Sequence, residues 1–369
     1  MTPESQKPLP VSPQSRLGAL LAKLGPFLAL VILVIVGGIL DNIVNDPDSR
    51  KFLSIANFFN ILRQNSFIGI VALGMTFVII LGGIDLAVGS VVAFSGGLAI
   101  MAMNQVAPQG TQAAIALAIF MALAIGTLCG WLHGIAITKG RITPFIATLG
   151  GMAIWRSATL TMSGAGEIRS AVPSFGAIGS SGFNLPLPQV LTDHIGVIRI
   201  ANPVLAFFIL AIIGALILRR TTYGVSVYAI GGNSTAALYS GLKVDRLKII
   251  TYSLCGLFCG IAALFNASRL DSVSSSGTGV LYELDAIAAV VVGGASMAGG
   301  RGRMLGTVIG VLILGVVNNM LNMIGSPDAI AKLGLHHIGL ANVNIAHLQG
   351  LVKGVIVIAA VLVQRGRIG

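Results

Sequence analysis

From Leu24 onward the sequence is a succession of apolar stretches, each about as long as a bilayer is thick. A helix needs roughly 20 apolar residues to cross the hydrocarbon core. Runs of that order lie near 24–41, 61–81, 86–104, 112–137, 143–163, 202–219, 248–268, 284–300, 304–324 and 346–364. Only Gly82–Asp85 parts the second from the third, and only Gly299–Arg303 parts the eighth from the ninth. Charged residues make up 9% of the 369, against about 25% in a soluble domain. So few charges cannot wet the surface of a soluble fold, and the expectation is an all-α membrane protein of about ten transmembrane helices. The 48 glycines suit that solvent, because helices in lipid associate through small residues that let backbones approach.

Ten spans put both termini on the same side. Fourteen Lys and Arg residues then fall in the loops and tails of that side, including Lys23, Lys139, Arg219, Lys243, Arg303 and Arg365, against six on the other. Basic loops stay in the cytoplasm, so both termini are expected there. The net charge of +11 orients the chain on this reading and does not imply nucleic-acid binding. Residues 1–23, rich in Pro, Ser and Gln in their first part, read as a disordered cytoplasmic tail. No cleavage site follows the first apolar run, and 24–369 reads as a single transmembrane domain. Its long connections are the external loops 164–201 and 325–345 and the cytoplasmic segment 220–247.

The cytoplasmic segment carries its own local signals. Gly231 and Gly232 break the preceding structure, Asn233 or Ser234 can cap a helix, and Gly241 is placed to end it. The spacing predicts two helical turns from Ser234 to Ser240. Two readings stand: a peg that couples to a motor subunit, or an ordinary amphipathic connector at the membrane surface.

Ionisable side chains in hydrocarbon cost about 2.5–3.5 kcal/mol on insertion scales and mark functional positions. Arg63, Asp85, Arg156, Glu283, Asp285 and Lys353 are the candidates. Asp85 follows Gly82–Gly83, where it can cap the third span or stand beside a substrate path. Lys353 lies about two turns inside the tenth span, and Glu283 and Asp285 lie at the outer start of the eighth. A pair between Lys353 and one of these acids is predicted; the alternative is that Lys353 snorkels to the headgroups. Asn318, Asn319 and Asn322, with Gln64 and Asn65, are either interhelical glue or lining of a translocation path.

Other chemistry is missing from the sequence. There is no GxxxxGK[ST] loop to cradle phosphates, so any ATP and Mg would be bound by a partner and none by this chain. The five histidines form no HExxH motif, and the His336–His337 pair reads as loop surface. Cys129, Cys255 and Cys259 read as small packing residues. No nucleophile and base are paired for an enzymatic role. A stand-alone ion-coupled transporter would need carboxylates beside broken helices, for which Asp85 is the one candidate.

Several stretches, in order along the chain, carry a resemblance. They are Gly82–Ser90 (GGIDLAVGS), Gly140–Leu149 (GRITPFIATL), Tyr228–Asn233 (YAIGGN), Lys248–Gly256 (KIITYSLCG), Tyr282–Gly294 (YELDAIAAVVVGG) and Leu305–Asn319 (LGTVIGVLILGVVNN). On these the chain resembles the permease subunits of bacterial ABC sugar importers, from Phe58 to Val363. The resemblance implies a type II importer fold of ten helices and a bacterial inner-membrane location. It also implies a second permease copy, an ABC ATPase subunit, a periplasmic sugar-binding protein, and a pentose or hexose as cargo. Coupling to the ATPase then falls on Asn233, Ser234, Thr235, Ala236, Ala237, Tyr239 and Gly241. The family usually carries an acid just after the GGN and an Arg later in that helix. Here Ser234 and Thr235, then Leu238 and Tyr239, occupy those places, so the docking surface is less charged.

Overall fold

The computed structural model describes residues 13–186, 198–324, 332, 350–356 and 358. Helices α1 (Pro13–Val44), α2 (Ile55–Ile80), α3 (Val88–Val106), α4 (Thr111–Thr138) and α5 (Pro144–Met162) come first. A short α6 (Gly176–Ser180) precedes α7 (Asn202–Arg220), α8 (Thr222–Gly232), α9 (Ser234–Tyr239) and α10 (Val244–Leu270). The series ends with α11 (Tyr282–Val292) and α12 (Met304–Ile324), and 350–356 are again helical. Two small antiparallel ladders lie outside the bundle: β1 (Glu167–Arg169) with β4 (Ser272–Ser274), and β2 (Gly182–Asn184) with β3 (Arg199–Ala201).

Among the described residues seven helices are long and apolar enough to cross a membrane: α1 from Leu24, α2, α3, α4, α7, α10 and α12. The fifth expected span is α5, whose Thr148, Arg156, Ser157, Thr159 and Thr161 make it more polar. The eighth, expected over 284–300, is corrected: α11 stops at Val292, and 293–303 are not helical. The Gly293–Gly294 pair ends it, with Gly294 at φ +95°, a conformation that glycine adopts without strain. The tenth falls largely outside the described residues. At the other end α1 already begins at Pro13, so 13–23 extend a helix that the tail was expected to precede.

Helix α2 is the axis of the bundle, buried at nearly every position from Ser66 to Ile80. Its neighbour α10 packs along α4 on a row of small residues. On α4, Ala114, Ala118, Ala122, Gly126, Gly130 and Gly134 recur every fourth residue, and all are buried. A Cβ on Gly130 would stand 2.1 Å from the Tyr252 carbonyl oxygen, and one on Gly256 would stand 2.1 Å from that of Gly126. The two backbones therefore touch, as small-xxx-small faces allow in lipid. Large apolar side chains point outward instead, such as Phe27, Ile32, Ile35 and Ile39 of α1 and Ile209, Ile212 and Leu216 of α7.

Two interruptions bring irregular backbone into the bundle. After Ile80 the chain turns at Gly82 (φ +85°) and resumes as α3 only at Val88. After β4 the segment 275–281 enters from the opposite side, and α11 starts behind Leu281 at φ +62°. The second segment meets the first turn of α3 at Gly279 and Gly89, where each carbonyl oxygen occupies the place the other residue's Cβ would need. Close contacts at Gly293 with Gly306 and at Gly310 with Ala289 lay α11 antiparallel along the first half of α12. At about 1.5 Å per residue, the first turn of α11 is level with the middle of α12. Glu283 and Asp285 therefore lie deeper than the outer start of a span.

Candidate functional site

The segment after α8 forms a capped peg. Asn233 leaves the helix in an extended conformation, and its Oδ1 accepts the Ala236 N–H at 2.9 Å. Gly241, at φ +84°, turns the chain after Ser240. Ala237 is buried and anchors the peg, while Ser234, Thr235 and Ala236 are exposed. At the tip Leu238 is 59% exposed and Tyr239 87%.

Beneath the peg the turns interlock. A Cβ on Gly231 would stand within 1.8 Å of the Ile80 carbonyl oxygen, and one on Gly299 within 2.9 Å of Gly82 Cα. The Gly300 N–H donates to that same Ile80 oxygen at 2.8 Å. The end of α8, the turn after α2 and the loop before α12 are thus one packed unit.

The acids and Lys353 separate into distinct sites. Lys353 Nζ lies 2.9 Å from Asp285 Oδ1 and donates to Oδ2 at 3.0 Å. Glu283 faces another way, with its Oε2 beside Gly89. Acids in the first turn of α11 also complement the positive end of that helix. Asn65 and Asn318 line one narrow internal crevice with Asp285. Asn319 is elsewhere, in a reciprocal amide pair with Asn57 at 3.0 and 3.1 Å that ties α2 to α12. Gln64 and Arg63 both donate to Asn60 Oδ1 on an exposed face of α2. Asn322 is exposed near the end of α12. The expected path residues therefore do not share one lining.

Asp85 is buried in a network of its own. Its Oδ1 accepts the Ala87 N–H at 2.9 Å, closing a turn just ahead of α3 rather than capping the helix itself. Its Oδ2 lies 3.5 Å from His133 Nδ1. His133 Nε2 accepts the Trp155 indole N–H at 3.0 Å. Indole can only donate, so Nε2 is unprotonated and the imidazole proton sits on Nδ1, facing Asp85. Tyr252 completes the cage by donating to the Ile84 carbonyl at 3.1 Å. Sequence reasoning missed His133, which stands alone on an apolar helix with no motif around it. Arg156 is a clamp: its Nη1 donates to the carbonyls of Ser275 and Thr278 at 3.0 and 2.8 Å and holds the entering segment 275–281.

Outside the bundle Glu167 accepts the Ser272 hydroxyl at 2.6 Å and pairs with Arg169 at 2.8 Å. The Ser272 hydrogen bond first, then Arg169, holds its carboxyl below the usual carboxylate range. Among the described residues no group of three or more His, Cys, Asp or Glu side chains could hold a metal. His336 and His337, with most of the loop 325–345, lie outside the described residues, as do 187–197 of the loop 164–201.

Seven long apolar helices, with interrupted segments between them and a buried ion pair, define a multi-pass membrane protein. The family described as branched-chain amino acid transport system / permease component matches residues 57–361, and the chain belongs to it. It is similar to the ribose import permease protein RbsC of Bacillus subtilis (strain 168), with 41% identity covering 93% of this chain and 92% of that protein. The ribose import permease protein RbsC of Escherichia coli (strain K12) is 38% identical, covering 85% and 87%. The galactose/methyl galactoside import permease protein MglC of the same strain is 34% identical, covering 90% of each.

Proposed function

We propose that this chain is the membrane-spanning subunit of an ATP-driven sugar importer and that its cargo is a pentose or hexose. The observation that carries the cargo is the set of relatives: ribose, galactose and xylose permeases match over most of the chain, although the family description names branched-chain amino acids. Ribose-type substrates are favoured, because the two ribose permeases are more similar than the galactose one.

A partner ATPase binds ATP and Mg and docks on the peg, with Asn233, Ser234, Thr235, Ala236, Ala237, Tyr239 and Gly241 as the coupling residues. Leu238 and Tyr239 make that contact apolar and aromatic. A periplasmic binding protein delivers the sugar to the outer face. The arrangement is a type II importer fold of ten helices per subunit in a bacterial inner membrane, with both termini cytoplasmic. A second permease copy completes the pathway, as the similarity to the ribose permeases supports. Asn65 and Asn318 beside Asp285 are the path residues favoured by their shared crevice.

The test is uptake of labelled ribose, xylose and galactose by proteoliposomes holding this chain with its ATPase and binding protein. Uptake should require ATP and all three components. Uptake driven by an ion gradient with the permease alone would sink the proposal in favour of a secondary transporter.

A further inference from the structure

The glycine seam between α4 and α10 has a second effect. It draws the backbones together at Gly126, Gly130 and Gly134. What remains is an open trough of about 1070 Å³ along the two helices. Trp131, Ile250, Leu254 and Leu257 form its walls. A second hollow of about 480 Å³ shares Thr127, Trp131 and Ser253 with it and continues to Phe120. From Lys139 to Phe120 α4 runs about 28 Å at about 1.5 Å per residue, well over the roughly 15 Å depth of one hydrocarbon leaflet.

One end of the trough is basic. Lys139, Lys243 and Arg246 line it with a single acid, Asp245. All three cations are exposed, and none has an ion-pair or side-chain hydrogen-bond partner among the described residues. A second copy of this chain is a poor occupant. An isologous contact places the same patch against itself, and here that would set cations against cations.

We propose that this trough binds an anionic phospholipid, with the phosphate at Lys139, Lys243 and Arg246 and an acyl chain lying against Trp131, Leu254 and Leu257. Basic pockets between membrane helices recognise such headgroups, each basic side chain adding to the attraction. The assignment is independent of the cargo; Leu238 and Gly241 of the peg also line the basic end, so the lipid is tested on the permease without its ATPase.

Trp131 is one of two tryptophans and lines the trough, so it reports occupancy. The full-length chain is reconstituted in phosphatidylcholine nanodiscs with graded amounts of phosphatidylglycerol or phosphatidylcholine brominated on an acyl chain. Brominated phosphatidylglycerol should quench Trp131 at an about tenfold lower mole fraction than brominated phosphatidylcholine. Trp131→Phe should remove that component of the quenching. Lys139→Gln/Lys243→Gln/Arg246→Gln should bring the two lipids together, with helical content unchanged. Arg301→Gln/Arg303→Gln, which removes basic charge elsewhere, should keep the preference. Equal quenching by the two lipids in the unaltered chain would overturn the assignment. So would a preference that survives the triple change or disappears in the double one. Absence of quenching by either lipid would show that protein covers the trough, and would overturn it as well.

Discussion

Asp285 and Lys353 face each other with both carboxylate oxygens within 3.0 Å of one ammonium group. The acid sits in the first turn of α11 and the base in the helical stretch 350–356, far apart in sequence. Both side chains are largely withdrawn from the surface, at 7% and 18% exposure, so each is the other's main source of solvation.

Removing one member leaves a buried charge, at a cost of about 3–5 kcal/mol. Lys353→Met and Asp285→Asn should each lower the thermal midpoint in detergent. The double variant should be markedly more stable than the sum of the single losses predicts. Strict additivity would mean the contact contributes nothing.

The seam between α4 and α10 predicts a steep dependence on side-chain size. Gly130→Ala drives a methyl group into the Tyr252 carbonyl, and overpacking of this kind costs about 1–3 kcal/mol. Gly25→Ala in α1, where nothing lies within 4 Å, should be tolerated. Comparing the two variants by yield and thermal stability separates contact from composition.

Truncating the peg tip should uncouple the chain without unfolding it. Tyr239→Ala and Leu238→Ala remove exposed side chains and leave the Asn233 cap and buried Ala237 in place. If Tyr239 anchors the ATPase, its loss weakens binding by about 2 kcal/mol or more, roughly thirtyfold. Affinity of the purified ATPase for the reconstituted permease is the measurement, with unchanged melting as the control.

The outer ladder between β1 and β4 should loosen in acid. The Glu167 carboxyl is held below its usual range by Ser272 and Arg169. Its contribution is therefore complete above the ordinary carboxylate pKa and is lost as pH falls through the lowered one. Amide exchange in 167–169 and 272–274, corrected for intrinsic rates, should speed up between neutral pH and about pH 3. Glu167→Gln should flatten that dependence.

Hydropathy made the helical membrane class legible, because spans such as Leu24–Val44 and Asn202–Arg220 advertise themselves by length and apolarity. The cap and stop of the peg were legible too, since Asn233 and Gly241 act through local backbone chemistry. The eighth span was misread for a physical reason. The run 284–300 carries a single charge, Asp285, but Gly293 and Gly294 end the helix where the chain crowds against Gly306. Hydropathy counts side chains and does not register a backbone turn inside protein. Asp85, His133 and Trp155 are brought together from three separate parts of the chain, so no spacing could have announced them. The asparagines divided between a crevice and a clasp because Asn318 and Asn319 are neighbours in sequence that leave a helix in different directions.

If the peg docks an ATPase as proposed, the contact of Gly82, Gly231, Gly299 and Gly300 sets how force would travel through this subunit. Backbone against backbone leaves no compliant side chain between the base of the peg and the loops it rests on. A tug on Tyr239 would then reach the end of α2 and the start of α12 as a displacement of main chain, undamped by rotamer changes. Introducing a single methyl group at Gly231 would act like grit in a bearing, and the loss would register as slippage between fuel consumption and cargo moved.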